Sequence, residues 1–136
     1  MTETATAVPT PRWSVAPYII VDDVVATANF YRDKLGFHYD RFWGEPPCFA
    51  MVHRGGITIM LKQPEVTGAM HPNRFIDAEE SSWDAYIWVD NADALYAEFQ
   101  RNGVTIVRSI CDQLYGCRDF DIHDCNGYTL CFGQPL

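Results

Sequence analysis

The stretch APYIIVDDVVATANFYRDKLGF, residues 16–37, begins as an apolar run and continues with apolar side chains at helical spacing. Asp22 or Asp23 is suited to cap a helix, because a short acidic side chain accepts hydrogen bonds from the first free backbone amides. Gly36 can end that helix by adopting a left-handed backbone. The apolar face between cap and stop contains Val24, Ala28, Tyr31 and Leu35. This pattern predicts a β-strand followed by an α-helix.

A second stretch, DAYIWVDNADALYAEFQRNGV at residues 84–104, repeats the same plan. A displacement of 68 residues brings Ala16 onto Asp84. Asp90 or Asn91 is the expected helix cap. The apolar face of this second helix contains Ala92, Leu95, Tyr96 and Phe99. The chain therefore contains a strand and a helix twice.

Three runs typical of β-strands follow each helix. They are FHYDRFW, FAMVHR and GITIMLK in the first half, and VTIVRSI, CRDFDIH and GYTLCFG in the second. A displacement of 71 residues overlays FAMVHRGGITIML on FDIHDCNGYTLCF, matching Phe49 to Phe120 and Met60 to Cys131. The sequence predicts an α+β fold of two tandem βαβββ modules, whose curled mixed sheets surround a cavity.

The length of the chain suits one domain, which we expect over residues 12–136. Module one is expected at about 13–64 and module two at about 83–134. The segment between them, about 65–82, is rich in proline and charge and reads as a linker. Residues 1–11 contain proline and small polar residues and are expected to form a flexible arm.

Charge and hydropathy restrict the classes of partner. The net charge of −8 disfavours nucleic acid, whose phosphates the chain would repel. There is no apolar run long enough for a membrane span and no secretory signal pattern at the N-terminus, so a cytoplasmic protein is expected. The five cysteines are odd in number and form no C-x-x-C pair, which favours reduced thiols.

The helical stretch DVVATANFYRDKLGF and the hairpin YGCRDFDIHDCNGYTLCF resemble the vicinal oxygen chelate superfamily of glyoxalase I, bleomycin resistance proteins and extradiol dioxygenases. The helical signature of that family is an Asp followed by Phe-Tyr and Leu-Gly-Phe, and its last hairpin typically contains Asp-Pro-Asp-Gly. Here the hairpin has Asp-Cys-Asn-Gly at residues 124–127, which still supports a turn. The resemblance covers residues 13–134. Because one fold in this family hosts lyases, isomerases, oxygenases and non-catalytic binders, it leaves the function open.

The resemblance also implies four metal-ligand positions, which fall at Ala16, Met60, Asp84 and Cys131. Ala16 has no donor atom, and the thioether of Met60 is a soft, weak ligand. A catalytic divalent metal generally needs about three protein ligands. We therefore expect no metal and no other cofactor. Cys131 is expected to be a neutral thiol that faces the cavity, unless Arg118 or a histidine lies beside it and activates it.

Aromatic side chains give the remaining signal. On the predicted fifth strand Asp84, Tyr86 and Trp88 share one face by alternation. Such a wall suits a planar or cationic ligand, because stacking and cation–π contacts each contribute roughly 0.5–2 kcal/mol. Arg118 could instead favour an anionic group, and the rings could simply fill the interior. The candidate ligand-binding residues are Trp43, Met60, Asp84, Tyr86, Trp88, Tyr115, Arg118, Phe120 and Cys131.

Three functions are consistent with these residues. The first is a metal-free small-molecule-binding protein, similar to bleomycin resistance proteins, that sequesters a planar or cationic ligand such as an antibiotic. The second is an enzyme of the same fold, a lyase, isomerase or dioxygenase, with an atypical metal site on Asp84, Cys131 and His53 or with metal-free chemistry at Cys131 or His53. The third is a dimerisation module without a pocket. Open sheet edges and the family resemblance predict a homodimer.

Overall fold

The computed structural model describes residues 13–76 and 82–136. The expected arm at residues 1–11 lies outside the described residues, as do residues 77–81 of the expected linker. The described chain forms two four-stranded sheets and two α-helices, so the predicted α+β class is confirmed. Among the described residues, no helix is long and apolar enough to cross a membrane.

The elements follow the order predicted from the two repeats. The first module contains β1 (Tyr18–Ile20), α1 (Val24–Leu35), β2 (Phe42–Trp43), β3 (Phe49–Arg54) and β4 (Ile57–Lys62). After a 3₁₀ turn at Asn73–Phe75, the second contains β5 (Ala85–Trp88), α2 (Ala92–Arg101), β6 (Thr105–Asp112), β7 (Cys117–His123) and β8 (Thr129–Pro135).

Both sheets have the same topology. Their strand orders are β1-β4-β3-β2 and β5-β8-β7-β6. The first strand of each module runs parallel to the last, and the other pairs are antiparallel. The predicted pair of βαβββ modules is confirmed, and each sheet is open rather than closed into a barrel.

The helices begin and end for the reasons expected from their sequences. The Asp23 side chain accepts a hydrogen bond from the Ala26 amide at 3.0 Å. Gly36 ends α1 with a φ of 71°, a left-handed conformation that glycine adopts without strain. In α2 the Asn91 side chain accepts from the Ala94 amide at 3.0 Å.

The core lies on the helix-bearing face of each sheet. Alternate strand residues point to this face, and they join α1 and α2 in one continuous apolar cluster. Its sheet residues include Ile19, Ala50, Val52, Ile59, Leu61, Ile87, Phe120, Ile122, Leu130 and Phe132. The opposite surface of each sheet is here called its open face.

A buried hydrogen bond joins the two modules. The Tyr31 hydroxyl, on α1, donates to Oδ2 of Asp124 at 2.7 Å. The other carboxylate oxygen of Asp124 accepts the backbone N–H groups of Asn126 and Tyr128 at 2.9 and 3.0 Å. The helical and hairpin stretches that carry the family resemblance are therefore in direct contact.

The register corrects one part of the predicted repeat. Tyr18 pairs with Met60, and Tyr86 pairs with Cys131, so the match of Met60 to Cys131 is confirmed. Strands β3 and β7, however, are displaced by one residue relative to the predicted overlay. Arg54 pairs with Ile57 across the short turn of the first hairpin, whereas a longer turn separates His123 from Thr129 in the second.

The match of Phe49 to Phe120 is therefore wrong. Buried Ala50 in β3 corresponds to buried Phe120 in β7, and Phe49 corresponds to Asp119. Because side chains alternate along a strand, a slip of one residue exchanges the two faces. The true counterpart of Phe49 on the open face is thus a carboxylate.

Candidate functional site

An ionic cluster lies on the open face of the second sheet. Arg108 Nη2 lies 2.7 Å from Asp119 Oδ1 and 2.8 Å from Asp121 Oδ1. Arg108 Nε lies 3.1 Å from Asp121 Oδ2. The two aspartate side chains have no exposed surface, and that of Arg108 is 13% exposed. One guanidinium against two carboxylates leaves a net negative charge at this position.

The local strand geometry brings these groups together. Asp119 and Asp121 alternate with Phe120 and Ile122, which point into the helix-side core. Strand β6 has irregular register on both sides of Arg108, and such bulges re-aim side chains. The bulges turn Arg108 toward the two carboxylates of the adjacent strand.

Aromatic side chains are bound to the same carboxylates. The Tyr86 hydroxyl donates to Asp119 Oδ2 at 2.9 Å, and the Tyr115 hydroxyl donates to the same oxygen. The Trp83 indole N–H donates to Asp121 Oδ1 at 3.0 Å. The ionic cluster thus holds the polar atoms of three aromatic rings through hydrogen bonds.

These rings form a continuous wall together with Trp88. Centroid distances are 6.5 Å for Tyr115 to Trp83, 4.9 Å for Trp83 to Tyr86 and 4.8 Å for Tyr86 to Trp88. Trp88 is 61% exposed and Tyr115 is 55% exposed. We call these four residues the aromatic wall. Its two ends are accessible, and its centre is partly buried.

Gly133 provides the surface on which Tyr86 lies. Trp88 pairs with Gly133 across the parallel strands, next to the pair of Tyr86 and Cys131. A Cβ at position 133 would overlap the hydroxyl and ring of Tyr86. The absence of a side chain at this position lets the ring lie against β8.

The protonation states follow from burial and hydrogen bonding. Burial first, and then the hydrogen bond to Asp119, raise the pKa of Tyr86 and of Tyr115, so both remain neutral donors. Burial alone would raise the pKa of Asp119, but hydrogen bonds from Tyr115, Arg108 and Tyr86 outweigh it and lower that pKa. Burial would lower the pKa of Arg108, but the two aspartates raise it overall. The carboxylate of Asp119 and the guanidinium of Arg108 are therefore both charged at neutral pH.

Cys131 is a buried thiol at the edge of this cluster. Its side chain has no exposed surface, and its Sγ lies 3.7 Å from Arg108 Nη2. Burial raises the pKa of the Cys131 thiol, and the hydrogen bond with Asp121 raises it further. Arg108 acts in the opposite direction but is outweighed. The thiol is therefore neutral and a poor nucleophile.

The four metal-ligand positions implied by the family do not fit a divalent metal. Asp84 Oδ1 accepts the Asn73 N–H and its Oδ2 accepts the Thr129 N–H, each at 2.8 Å. Cys131 is protonated, and Ala16 has no donor atom. Within residues 13–76 and 82–136 no three His, Cys, Asp or Glu side chains are grouped so as to hold a metal ion.

The structure divides the predicted ligand-binding residues between the two sheets. Tyr86, Trp88, Tyr115 and Cys131 lie together in the second module. Trp43 and Met60 lie on the first sheet. The ring centroid of Trp43 lies 5.6 Å from that of Phe49 and 4.8 Å from Cζ of Arg41. Asp84 borders a separate cavity of about 280 Å³, which Tyr18 and Tyr128 also line.

Two predicted residues lie on the other side of the second sheet. Phe120 is fully buried in the helix-side core, with its ring 5.0 Å from Tyr96. Arg118 forms ion pairs with Asp112 at 2.7 Å and Asp93 at 2.9 Å. Both alternate with Asp119, so neither shares the open face with the aromatic wall.

Sequence reasoning did not assign Arg108, Asp119, Asp121 or Trp83 to the site. A signal was present in CRDFDIH, where two aspartates alternate with apolar residues in a strand. Such a pattern on a sheet face requires a compensating cation. Which cation supplies it depends on the bulges in β6, which the sequence does not reveal.

A second cavity, larger than the one beside Asp84, lies elsewhere, between the modules. It has a volume of about 480 Å³, and its floor includes Ile57, Ile87 and Phe99. Its charged pair, Arg54 and Glu98, is joined by two hydrogen bonds of 2.7 and 2.8 Å. Because these charges satisfy each other, the cleft offers less for polar recognition than the aromatic wall does.

Comparisons with known proteins agree with this architecture. A family model described as Glyoxalase/Bleomycin resistance protein/Dioxygenase superfamily matches residues 14–132. The crystal structure of a bleomycin-binding protein from bleomycin-producing Streptomyces verticillus, complexed with copper(II)-bleomycin, has a TM-score of 0.64 and 25% identity. It covers 90% of this chain and 96% of that one.

Two further solved structures are similar in fold. A bleomycin resistance determinant encoded on the transposon Tn5 has a TM-score of 0.70 and 18% identity, covering 91% of this chain and 98% of that one. A glyoxalase-related enzyme from Clostridium phytofermentans has a TM-score of 0.71 and 17% identity, covering 94% and 98%. No curated protein sequence matches the chain.

Proposed function

We propose that this chain, which belongs to the Glyoxalase/Bleomycin resistance protein/Dioxygenase superfamily, is a binding protein that captures a planar cationic small molecule and releases it unchanged. The observation that carries the proposal is the aromatic wall of Tyr115, Trp83, Tyr86 and Trp88. Stacking and cation–π contacts on such rings each contribute roughly 0.5–2 kcal/mol. Four adjacent rings offer a planar ligand several such contacts.

Rigidity supports binding by the wall. Asp119 and Asp121 hold Tyr86, Tyr115 and Trp83 by their polar atoms. A preorganised ring loses little conformational entropy when a ligand stacks on it. The ionic cluster thus serves as the support of the binding surface rather than as a reacting group.

Electrostatics favours a cation over an anion. The ionic cluster behind the rings contains two carboxylates and one guanidinium. The whole chain has a net charge of −8, which raises the local concentration of cations. The free cation expected on this face from the sequence, Arg118, is already paired with two aspartates on the other side of the sheet.

The neutral Cys131 and the engaged Asp84 support capture rather than catalysis. Neither offers a nucleophile or an open metal position beside the aromatic wall. The binding of copper(II)-bleomycin by the Streptomyces verticillus protein makes an antibiotic of that kind the ligand class to test first. We extend this to a cytoplasmic role in resistance, in keeping with five free thiols.

A homodimer would complete the binding site. The open face of the first sheet also exposes aromatic surface, with Tyr18 at 57%. Two copies related by a twofold axis would each cover the other's open faces. The proposed ligand would then lie between the aromatic wall of one subunit and the first sheet of its partner.

The experiment is a titration followed by tryptophan fluorescence and calorimetry. Proflavine serves as a planar cation, pyrene sulfonate as a planar anion, and copper(II)-bleomycin as the antibiotic. We expect saturable binding of proflavine or bleomycin, with weaker binding of the anion. Mass spectrometry should recover the bound compound unchanged.

A matched pair of variants locates the site. Trp88→Leu should weaken binding about tenfold, because it removes one exposed ring of the wall. Trp13→Leu, at a residue that is 102% exposed outside the wall, should leave binding unchanged. Absence of binding to all three probes, or the appearance of a chemical product, would refute capture as the function.

A further inference from the structure

We propose that His38 and His53 form a two-histidine site for a divalent transition-metal ion, with copper(II) bound most tightly. The site lies in the first module, at the end of β3. It is separate from the four metal-ligand positions implied by the family and from the aromatic wall. The proposal does not depend on the function proposed above.

The backbone fixes the two histidines side by side. His38 N–H donates to the His53 carbonyl at 2.9 Å, and His53 N–H donates to the His38 carbonyl at 2.8 Å. Residues paired in this way on antiparallel backbone project their side chains to the same face. The two imidazole rings accordingly lie on one side of the sheet.

The spacing of the rings matches that of two ligands on one ion. Their centroids are 5.4 Å apart, and their planes are tilted by 39°. Two imidazoles bound through nitrogen at about 2.0–2.1 Å to one ion have centroids about 4.5 Å apart in cis positions of a tetragonal copper(II) ion and about 5 Å apart on a tetrahedral ion. The two rings are therefore close enough for both to bind the same ion through rotamer changes of their side chains.

A hydrogen bond selects the nitrogen that would bind. His53 Nδ1 lies 2.8 Å from Oγ1 of Thr58, its cross-strand partner. Metal-ligating histidines typically donate one ring N–H to a neighbouring oxygen, which leaves the other nitrogen as the ligand. With the Nδ1 proton of His53 donated to Thr58, Nε2 is the nitrogen that would bind the ion. The Thr58 contact is independent of the pairing with His38.

The donor set decides the class of ion. Imidazole nitrogen suits copper, nickel and zinc, whereas magnesium and calcium require oxygen ligands. Within the described residues no third His, Cys, Asp or Glu joins the pair, so water would complete the coordination. His38 is exposed and His53 is half-buried, which leaves the ion accessible from solvent. Copper(II) leads the affinity order for such a site.

Binding of the metal ion would connect two segments that are separated in the sequence. His38 follows α1, and His53 lies near the end of β3. An ion held by both stabilises the folded state over the unfolded chain, in which the two imidazoles are far apart. Added copper(II) should therefore raise the unfolding temperature of the full-length protein.

The test is calorimetric titration of the full chain with copper(II) in a non-coordinating buffer, with electron paramagnetic resonance of the product. We expect a site of one ion per chain with hyperfine coupling to two nitrogens. His38→Ala and His53→Ala should each weaken this site at least tenfold. His71→Ala, at an exposed loop histidine, should leave it unchanged.

Thr58 provides a sharper test, since it contacts no ion. Thr58→Val should weaken copper(II) binding about tenfold, and Thr58→Ser should restore it. Circular dichroism establishes that each variant is folded. Undiminished binding in the His38→Ala, His53→Ala double variant, or an equal loss in His71→Ala, would overturn the proposal.

Discussion

The open faces of the two sheets differ in chemistry although their strands pair in the same way. At one equivalent position Met51 pairs with Met60 in the first sheet, and Asp121 pairs with Cys131 in the second. The helix-side faces of both sheets are mainly apolar and join one core. The comparison teaches that one face of each sheet specifies the fold, whereas the other is free to carry different chemistry.

The largest predicted effect comes from Arg108, whose guanidinium pairs with both buried aspartates of the ionic cluster. Arg108→Met removes the guanidinium and leaves two buried carboxylates without a cation. Breaking a buried ion pair from one side costs about 3–5 kcal/mol. Urea unfolding should show a loss of that size.

Arg118→Met is the matched control. Arg118 also contacts two aspartates, but its side chain is 36% exposed and solvent screens the pairs. We expect only a small change in the free energy of unfolding. If the two variants were equally stable, the open face of the second sheet could not depend on its ionic cluster.

The second effect tests the position of Tyr86. Lys62 is the equivalent of Gly133 in the first sheet, since they pair with Ile20 and Trp88 respectively. Gly133→Ala should cost about 1–3 kcal/mol, because the new methyl group overlaps the ring of Tyr86.

A double-mutant cycle isolates this contact. In a Tyr86→Ala background, Gly133→Ala should have little effect, since the ring that it displaces is absent. Equal costs of Gly133→Ala in both backgrounds would show that the glycine is needed for another reason. The measurement is again the free energy of unfolding.

The third effect concerns Tyr31 on α1, whose equivalent on α2 is Phe99. Both are fully buried, but only Tyr31 has a hydroxyl, which donates to Asp124. Tyr31→Phe should cost about 1–2 kcal/mol at neutral pH, because it removes one donor from a buried carboxylate.

The pH dependence of this cost has a definite sign. Burial raises the pKa of Asp124, and the Tyr31 hydroxyl acts against that rise by stabilising the ionised form. A carboxyl with a raised folded pKa contributes stability in acid that is lost as the pH rises through that pKa. The cost of Tyr31→Phe should therefore shrink as the pH falls through the pKa of Asp124. A constant cost between neutral pH and pH 4 would contradict this assignment.

The sequence was sufficient for the fold because the helix-side pattern occurs twice. The caps at Asp23 and Asn91 and the apolar faces of both helices are local signals, and the structure confirms them. The order of elements within each module followed from the repeat and the family resemblance, and the structure confirms it.

The open face was less predictable because it depends on register. The second hairpin has a longer turn than the first. The sequence overlay therefore matched Phe49 to Phe120, although its structural counterpart is Asp119. The aromatic residues Tyr86 and Trp88 were found because alternation on one strand needs no partner. Arg108 and the pair of His38 with His53 depend on bulges and bridges between segments, which no periodicity within one segment reveals.

The smallest predicted effect concerns two junctions, at each of which the helix of one module contacts the hairpin of the other. Where α1 meets the second hairpin through a buried hydrogen bond, α2 meets the first through the ion pair of Arg54 and Glu98. Their side chains are 34% and 29% exposed, so Arg54→Met should cost about 0.2–1 kcal/mol. The hydrogen bond from Arg54 lowers the pKa of Glu98, so this contribution is present at neutral pH and is lost only as the pH falls through that lowered value. On acidification the costs of Tyr31→Phe and Arg54→Met should both fade, while 1 M salt should reduce only the latter, because the buried junction is shielded from ions. Unfolding curves of the two variants at several pH values and two salt concentrations decide whether the junctions differ in this way, and an equal effect of salt on both costs would mean that the junction of Tyr31 with Asp124 is not shielded from solvent.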